Sequence, residues 1–237
     1  MPYFSSDNKY IISNSEDFSI RIWDWRNSSL IAIFELHDYH IVDAKFSKDG
    51  KYIVSASIFG EIVVFDWESK TKIKKFINND YHINWFDISP DGEYIAIGLV
   101  DHNFIIWEWK KDSELIKIDV NSYVDYLSFS NSGTYIACGL SNSDVLVLDW
   151  KNPSFQRLLK GHEEAVFSLD FSPDDEYIVS GSADFTVKIW DWKDEKLINT
   201  LKEHTAGVFS VSFSKDGKNI ASGSVDKSII IWKDSNE

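Results

Sequence analysis

The chain has 237 residues and a formal net charge of −14, which disfavours nucleic acid and anionic membranes as general partners and favours a basic protein segment. Hydrophobic residues make up 43 % of it, and the single cysteine, Cys138, excludes a disulfide framework within the chain. No apolar run is long enough to cross a bilayer as a helix, and the opening MPYFSSDNKY lacks the pattern of a secretory leader. We therefore expect an intracellular protein, cytoplasmic or nuclear, without membrane insertion.

Six similar segments follow one another along the chain. They begin at Phe4, Phe46, Ile88, Phe129, Phe171 and Phe213, and the fifth reads FSPDDEYIVSGSADFTVKIWDW. One position near the end of each segment falls at Trp23, Phe65, Trp107, Leu148, Trp190 and Trp232, so the steps are 42, 42, 41, 42 and 42 residues. A period of this length indicates supersecondary units that bury their apolar surfaces against one another.

Each segment has the pattern of short strands. In the fifth repeat the predicted strands are AVFSLDF (165–171), YIVSGS (177–182), TVKIWDW (186–192) and KLINTL (196–201), separated by Asp, Gly and Ser turns. Such runs predict a four-stranded antiparallel meander. Because Val187 and Ile189 alternate with Trp190 and Trp192, the third strand is apolar on both faces, as in a sheet that is covered on both sides. The predicted class is all-β.

The period and the Trp-Asp or Phe-Asp endings resemble those of the WD-repeat β-propeller family, and the resemblance covers the whole chain. It implies one propeller domain over 1–237, with blades of four-stranded sheet at approximately 1–35, 36–77, 78–118, 119–160, 161–202 and 203–237. Met1 aligns with Asp43, within an innermost strand, and the chain stops after the third strand of the sixth repeat. We therefore expect the first and last blades to be incomplete. Either the ring stays open, or a partner or self-association completes it, or the chain is a fragment of a longer WD-repeat protein, such as a substrate-receptor or signalling subunit.

Two repeats contain Ser, His and Asp side chains at matching spacing, which raises the alternative of a propeller hydrolase. In the WD-repeat family these positions form a structural tetrad, which would here be His162, Ser180, Asp184 and Trp190, and again His204, Ser222, Asp226 and Trp232. Two identical copies favour a structural role, because an active site is normally single, and no Gly-x-Ser-x-Gly elbow accompanies either serine. We expect no catalytic residue.

The tetrad is incomplete elsewhere. The residues at its positions are Ser13, Asp17 and Trp23 in repeat 1; His37, Ser55, Phe59 and Phe65 in repeat 2; Asn79, Ile97, Asp101 and Trp107 in repeat 3; and Val120, Cys138, Asn142 and Leu148 in repeat 4. Most repeats also carry a second tryptophan, and its recurrence indicates core packing (Trp25, Trp67, Trp109, Trp150 and Trp192). His37 and His40 share a loop, but no cluster of further ligands accompanies them, and phosphate-binding glycine patterns are absent. We expect neither a metal nor a cofactor.

The resemblance also places partner binding on the top face of the propeller. It assigns exposed top-face positions to His40, Val42, His82, Asn84, Tyr123, Asp125, Ala165, Phe167, Gly207, Phe209, Glu16, Ile58, Val100, Ser141, Ala183 and Val225. Among these we predict that a partner contacts His40, Ile58, His82, Asn84, Val100, Tyr123, Asp125, Phe167 and Phe209. The alternative for Phe167 and Phe209 is that they pack into their own blades. The sequence thus favours a non-catalytic scaffold that binds a protein or peptide through aromatic anchors.

Overall fold

The computed structural model describes residues 2–15, 17–78, 80–111 and 113–233, and within them the chain forms 23 β-strands and no helix. The strands form six antiparallel sheets of the propeller-blade type, so the all-β prediction is confirmed. The chain divides into two compact units, Met1–Asp101 with Ile106–Leu115 and His102–Ile105 with Ile116–Glu237. That 1–237 is one domain stays a prediction.

Blades 1 and 2 belong to the first unit. Their strands are β1 (Tyr3–Phe4), β2 (Tyr10–Asn14), β3 (Ser19–Asp24), β4 (Ser29–Glu35), β5 (Ile41–Phe46), β6 (Tyr52–Ser57), β7 (Glu61–Asp66) and β8 (Thr71–Ile77). The residues of blade 3 are divided between the two units. Its strands are β9 (Ile83–Ile88), β10 (Tyr94–Leu99), β11 (Asn103–Glu108) and β12 (Ser113–Asp119).

Blades 4 to 6 belong to the second unit. Their strands are β13 (Val124–Phe129), β14 (Tyr135–Leu140), β15 (Val145–Asp149), β16 (Asn152–Leu159), β17 (Val166–Phe171), β18 (Tyr177–Ser182), β19 (Val187–Asp191), β20 (Lys196–Leu201), β21 (Val208–Phe213), β22 (Asn219–Ser224) and β23 (Ile229–Lys233). In chain order we call the strands of each blade a to d. Strand a of blade 1 is only two residues long, and blade 6 has three strands among the described residues.

The a–b turns are built in the same way in every blade. The serine that follows strand a accepts, through Oγ, a hydrogen bond from the backbone N–H of the first residue of strand b, five positions later. The six pairs are Tyr10 to Ser5 (3.0 Å), Tyr52 to Ser47 (2.9 Å), Tyr94 to Ser89 (2.9 Å), Tyr135 to Ser130 (3.0 Å), Tyr177 to Ser172 (2.9 Å) and Asn219 to Ser214 (2.9 Å). This local side-chain bond closes the tight turn, and it explains why a serine is the second residue of every repeat.

Apolar side chains from neighbouring blades form the core of each unit. In the first unit one cluster joins β2 and β3 to β5 and β6, through residues such as Ile12, Ile22 and Ile53. In the second unit a cluster joins β15 to β17–β19 and includes Trp190 and Trp192. Both faces of a c strand are therefore covered by protein, which accounts for its continuous apolar sequence.

The second tryptophan, which is present in repeats 1 to 5, makes a hydrogen bond as well as an apolar contact. Its indole N–H donates to the a–b turn carbonyl 17 residues earlier, in the pairs Trp25–Asn8 (3.0 Å), Trp67–Gly50 (3.0 Å), Trp109–Gly92 (2.8 Å), Trp150–Gly133 (3.0 Å) and Trp192–Asp175 (2.9 Å). These acceptor residues all have a positive φ, between 56° and 74°. The ring also packs edge-on against the tyrosine that starts strand b of the preceding blade, with centroids 5.2 Å apart for Tyr10–Trp67, 5.2 Å for Tyr52–Trp109 and 4.7 Å for Tyr135–Trp192. Trp67, Trp109 and Trp192 thus each connect their own turn to the preceding blade.

Candidate partner-binding surface and buried hydrogen-bond chains

A buried chain of four side chains connects two strands, the d–a loop and the b–c turn in blade 5. His162 Nδ1 lies 2.7 Å from Asp184 Oδ2, and His162 Nε2 lies 2.8 Å from Ser180 Oγ. Trp190 donates its indole N–H to the same Ser180 Oγ at 2.8 Å. The carboxylate also accepts from the Thr186 hydroxyl and from the backbone N–H of Glu163. Because these groups are mutually satisfied, the chain fixes the d–a loop to strands b and c.

Blade 6 repeats the arrangement with the same distances. His204 Nδ1 is 2.8 Å from Asp226 Oδ2, its Nε2 is 2.8 Å from Ser222 Oγ, and Trp232 donates to that hydroxyl at 2.8 Å. The two serines are almost completely buried, with 0 % of Ser180 and 2 % of Ser222 exposed. A nucleophilic serine needs contact with its substrate, so this burial argues against a hydrolytic role for either chain.

The charge state of the blade 5 chain follows from its surroundings. Burial lowers the pKa of His162, and hydrogen bonding to Asp184 only partly offsets this effect. Burial raises the pKa of Asp184, but the hydrogen bonds from His162 and Thr186 outweigh it and hold the pKa well below its usual range. The chain therefore consists of a carboxylate and a neutral imidazole near neutral pH.

Acidification is expected to destabilise the protein, beginning below about pH 6.5, where histidines of the unfolded chain take up protons. Since His162 has a lowered pKa in the fold, the unfolded state binds its proton first as the pH decreases. The free energy of unfolding therefore decreases on acidification. The depressed pKa of Asp184 has the same sign and acts below about pH 4. Urea unfolding from pH 7.5 to 5 tests this expectation, because His162→Gln should reduce the slope of the unfolding free energy against pH by up to about 1.4 kcal/mol per pH unit. An unchanged slope in this variant would contradict it.

Blade 2 contains a version of this chain that the sequence analysis missed. His37 Nε2 lies 2.7 Å from Ser55 Oγ, and Nδ1 lies 2.7 Å from Glu61 Oε2, although Phe59 occupies the usual aspartate position. The Lys75 ammonium pairs with the other oxygen of Glu61. A longer acidic side chain two residues downstream therefore supplies the missing carboxylate, and no spacing in the sequence indicates this substitution.

Blades 1, 3 and 4 contain fewer members of the buried hydrogen-bond chain. In blade 1, Trp23 donates to Ser13 Oγ at 2.9 Å, and Asp17 accepts from Ser19 and pairs with Arg21. In blade 3, Ile97 and Trp107 are buried, and Asn79 lies outside the described residues. In blade 4 apolar packing replaces the chain, with Val120, Cys138 and Leu148 buried at its positions.

A β-bulge near the start of the innermost strand in blades 2 to 6 determines the orientation of the predicted top-face residues. The register in blade 5 passes from Val166–Ser182 to Ser168–Gly181, so that Phe167 has no partner across the ladder. The same bulge omits Val42, Asn84, Asp125 and Phe209 in blades 2, 3, 4 and 6. A bulge re-aims its extra residue relative to the strand, and here it turns the side chain away from the blade core.

A backbone hydrogen bond connects the two top-face loops in blades 2 to 6. The first residue of the b–c turn donates its N–H to a carbonyl of the d–a loop, as Ile58 does to His40 (3.1 Å), Val100 to His82 (3.0 Å), Ser141 to Tyr123 (3.1 Å), Ala183 to Ala165 (2.9 Å) and Val225 to Gly207 (3.0 Å). Glu16 lies outside the described residues. These bonds hold the predicted contact residues of one blade beside each other on rigid loops.

In the first unit the top-face loops form an aromatic row. Phe59 packs edge-on against Tyr39 at 4.8 Å and against His82 at 5.4 Å between ring centroids. Tyr39, Phe59 and Val100 are exposed, as are His40 and His82, while Ile58 and Asn84 are half-buried. The sequence analysis did not place Tyr39 or Phe59 on the binding surface. It considered Phe59 only as the residue that replaces the tetrad aspartate.

In the second unit the top-face loops carry two aromatic pairs. Phe167 and Phe209 stack with centroids 4.4 Å apart and planes 17° from parallel, and Phe209 is 45 % exposed. Tyr123 is 47 % exposed and packs edge-on against His102 at 4.5 Å. A Cβ atom on Gly207 would lie 3.2 Å from the Phe209 ring, so the small residue makes room for it. Neither phenylalanine is fully buried within its own blade, and Asp125, which accepts from Ser141 Oγ, is half-buried.

The repeats also match a known family by sequence. A family model described as WD domain, G-beta repeat matches residues 3–24, 28–61, 153–191 and 195–233, which is more than half of the chain. The chain belongs to the WD-repeat family. Members are generally non-catalytic and typically act as protein-interaction scaffolds. A comparison with curated protein sequences finds no match.

Residues 62–152 separate the second WD-repeat match from the third. This stretch contains blade 3 and most of blade 4, where Ile97, Cys138 and Leu148 stand at positions of the buried hydrogen-bond chain. Across the described ranges, no three His, Cys, Asp or Glu side chains converge in a group that could hold a metal ion. In the same residues no helix is long and apolar enough to span a bilayer.

Proposed function

We propose that this WD-repeat protein is a non-catalytic scaffold that binds a protein or peptide segment through its top-face loops. The observation that carries the proposal is the Phe167–Phe209 stack on two bulged strands, in which Phe209 is 45 % exposed and Phe167 is half-buried. Exposed aromatic side chains on a preorganised backbone are typical anchors of protein interfaces. Tyr123 beside His102 in the same unit, and the row of Tyr39, Phe59 and His82 in the first unit, add further anchors of this kind.

A basic segment fits this surface best. The net charge of −14 favours encounter with positive partners, and Glu163 and Glu164 are exposed in the d–a loop that precedes Phe167. We therefore expect binding to weaken as salt concentration rises, because salt screens exposed charges. An intracellular location, cytoplasmic or nuclear, belongs to the same proposal.

Selection of binders from a random peptide library on the immobilised protein tests the proposal. For a selected peptide, Phe167→Ala/Phe209→Ala should weaken binding about 30-fold, since loss of a hot spot of about 2 kcal/mol has that effect. Ile198→Ala is the matched control, because Ile198 is an equally exposed apolar residue on an outermost strand. Peptides that all keep their affinity for the double variant would contradict the proposal.

A second candidate is pairing at the outer edge of blade 6. Within the described residues β23 is the last strand of its sheet, and Ile229 and Ile231 are exposed along it. Such an edge can pair with another strand, so a partner or a second copy would complete the blade. Sedimentation of the wild type and of Ile231→Lys tests this candidate, because a charge on the edge should reduce any such association.

A further inference from the structure

The second tryptophan of a repeat occupies a slot with three recurring walls. In blade 5 the slot of Trp192 is formed by Tyr135 of the preceding blade, Phe171 at the end of strand a, and the turn carbonyl of Asp175. In blade 2 the ring of Trp67 meets Tyr10, Phe46 and the Gly50 carbonyl in the same way. The fold therefore contains repeated sites that recognise an indole by two ring contacts and one hydrogen bond.

Blade 6 has the walls of this slot without the tryptophan. Tyr177, Phe213 and Gly217 stand at the positions of Tyr135, Phe171 and Asp175, and Gly217 has the same positive φ, 72°. The position of the second tryptophan is Asp234, which lies outside the described residues, and 234–237 (Asp-Ser-Asn-Glu) include no aromatic residue. The chain as given thus has no aromatic side chain at this position of the sixth repeat.

The surroundings of Tyr177 are open. Tyr177 is 41 % exposed, whereas Tyr10, Tyr52 and Tyr135, at the same position in other blades, are each half-buried. A groove of about 860 Å³ runs beside it, and its walls include Pro173, Tyr177, Phe213, Gly217, Asn219 and Lys233. The groove combines the apolar side chains of Pro173, Tyr177 and Phe213 with polar lining residues such as Asp216 and Lys233, and a concave surface with both kinds of group has the character of a ligand site.

We propose that this groove binds a tryptophan side chain presented by a partner protein. The chemistry is read from the filled slots: the indole would pack against Tyr177 and Phe213 and donate its N–H to the Gly217 carbonyl. Aromatic packing of this geometry, together with a buried hydrogen bond, selects indole over an aliphatic side chain. The groove is separate from the top-face loops, because it is lined by the a–b turns of blades 5 and 6, at the opposite ends of the strands.

The probe for this site is N-acetyl-tryptophanamide, added to the ¹⁵N-labelled full chain. We expect its addition to shift the backbone amide resonances of Gly217, Lys218 and Asn219, while N-acetyl-leucinamide leaves them unchanged. Methylation of the indole nitrogen should weaken binding about fivefold, since it removes one neutral hydrogen bond of about 1 kcal/mol. Tyr177→Ala should weaken it by a similar factor, without loss of the fold, because Tyr177 lies at the exposed start of a strand.

Asp234→Trp is the second variant, because it places an indole at the repeat position that the second tryptophan occupies in repeats 1 to 5. We expect it to abolish the amide shifts and to raise the melting temperature by about 2–4 °C, the change that 1 kcal/mol produces in a domain of this size. Equal shifts in this variant, equal shifts with the leucine probe, or no shifts at the three amides would overturn the proposal. Self-association of the wild type that Asp234→Trp abolishes would assign the groove to a second copy and overturn the partner assignment. Binding at the top face is unaffected by either variant, so the two proposals fail independently.

Discussion

Replacement of Trp192 by alanine is expected to lower the free energy of unfolding by about 3–5 kcal/mol, the range found for buried large aromatic residues. Trp192 is 1 % exposed, packs against Tyr135 and Phe171, and donates to the Asp175 carbonyl. Its loss would leave a cavity between blades 4 and 5 and an unpaired turn carbonyl. Urea unfolding, followed by circular dichroism in the β region, measures the effect.

The control for Trp192 is the same repeat position in blade 1. Trp25 makes the equivalent hydrogen bond, to the Asn8 carbonyl, but 43 % of it is exposed. Trp25→Ala should therefore cost about 1 kcal/mol, the usual net value of one hydrogen bond. Equal costs at the two positions would show that apolar burial does not determine the role of this tryptophan.

Removal of the imidazole from the buried chain of blade 5 is expected to have the second largest effect. His162→Ala deletes a buried ring and both of its hydrogen bonds, so that Ser180 and Asp184 each lose one of their hydrogen-bond partners. Partly satisfied buried polar groups are costly, and we expect a loss of about 3 kcal/mol in unfolding free energy. The change is measured by the same urea titration.

Alanine substitutions of two other histidines provide comparisons for the stability cost of His162→Ala. His82→Ala removes an exposed imidazole and should leave stability within about 0.5 kcal/mol of the wild type. His204→Ala breaks the equivalent chain of blade 6, where Trp232 is only half-buried, and should cost less than the change in blade 5. A cost below about 1 kcal/mol for His162→Ala would show that the chain is dispensable to the fold.

The sequence predicted the fold and the residues of two buried chains because both depend on regular spacing. Strand lengths, Ser-containing turns and the positions of His162 and Ser180 recur every 41 or 42 residues, so each copy supports the others. A feature that occurs once has no such support. The carboxylate of blade 2 comes from Glu61, on strand c, and only the three-dimensional proximity of His37 identifies it as the substitute.

Two further structural features, the β-bulges and the indole hydrogen bonds, could not be predicted from the sequence. A one-residue bulge does not change the repeat length, so nothing in the spacing indicates that Phe167 and Phe209 leave the ladder. The indole hydrogen bonds depend on turn carbonyls at positive φ, a property of the backbone rather than of residue type, since Gly133 and Asp175 serve equally well. The consequence of having no tryptophan at this position of repeat 6 follows from these contacts, which the sequence does not show.

The most direct test of the scaffold role is site-specific photo-crosslinking in living cells. A benzoylphenylalanine at position 209, or at 123, should form discrete adducts with a partner protein, because both side chains are exposed on the top-face loops of the second unit. The matched control is position 73, an exposed isoleucine on strand β8, where we expect no adduct. Adducts at 73 with none at 209 or 123 would contradict top-face binding.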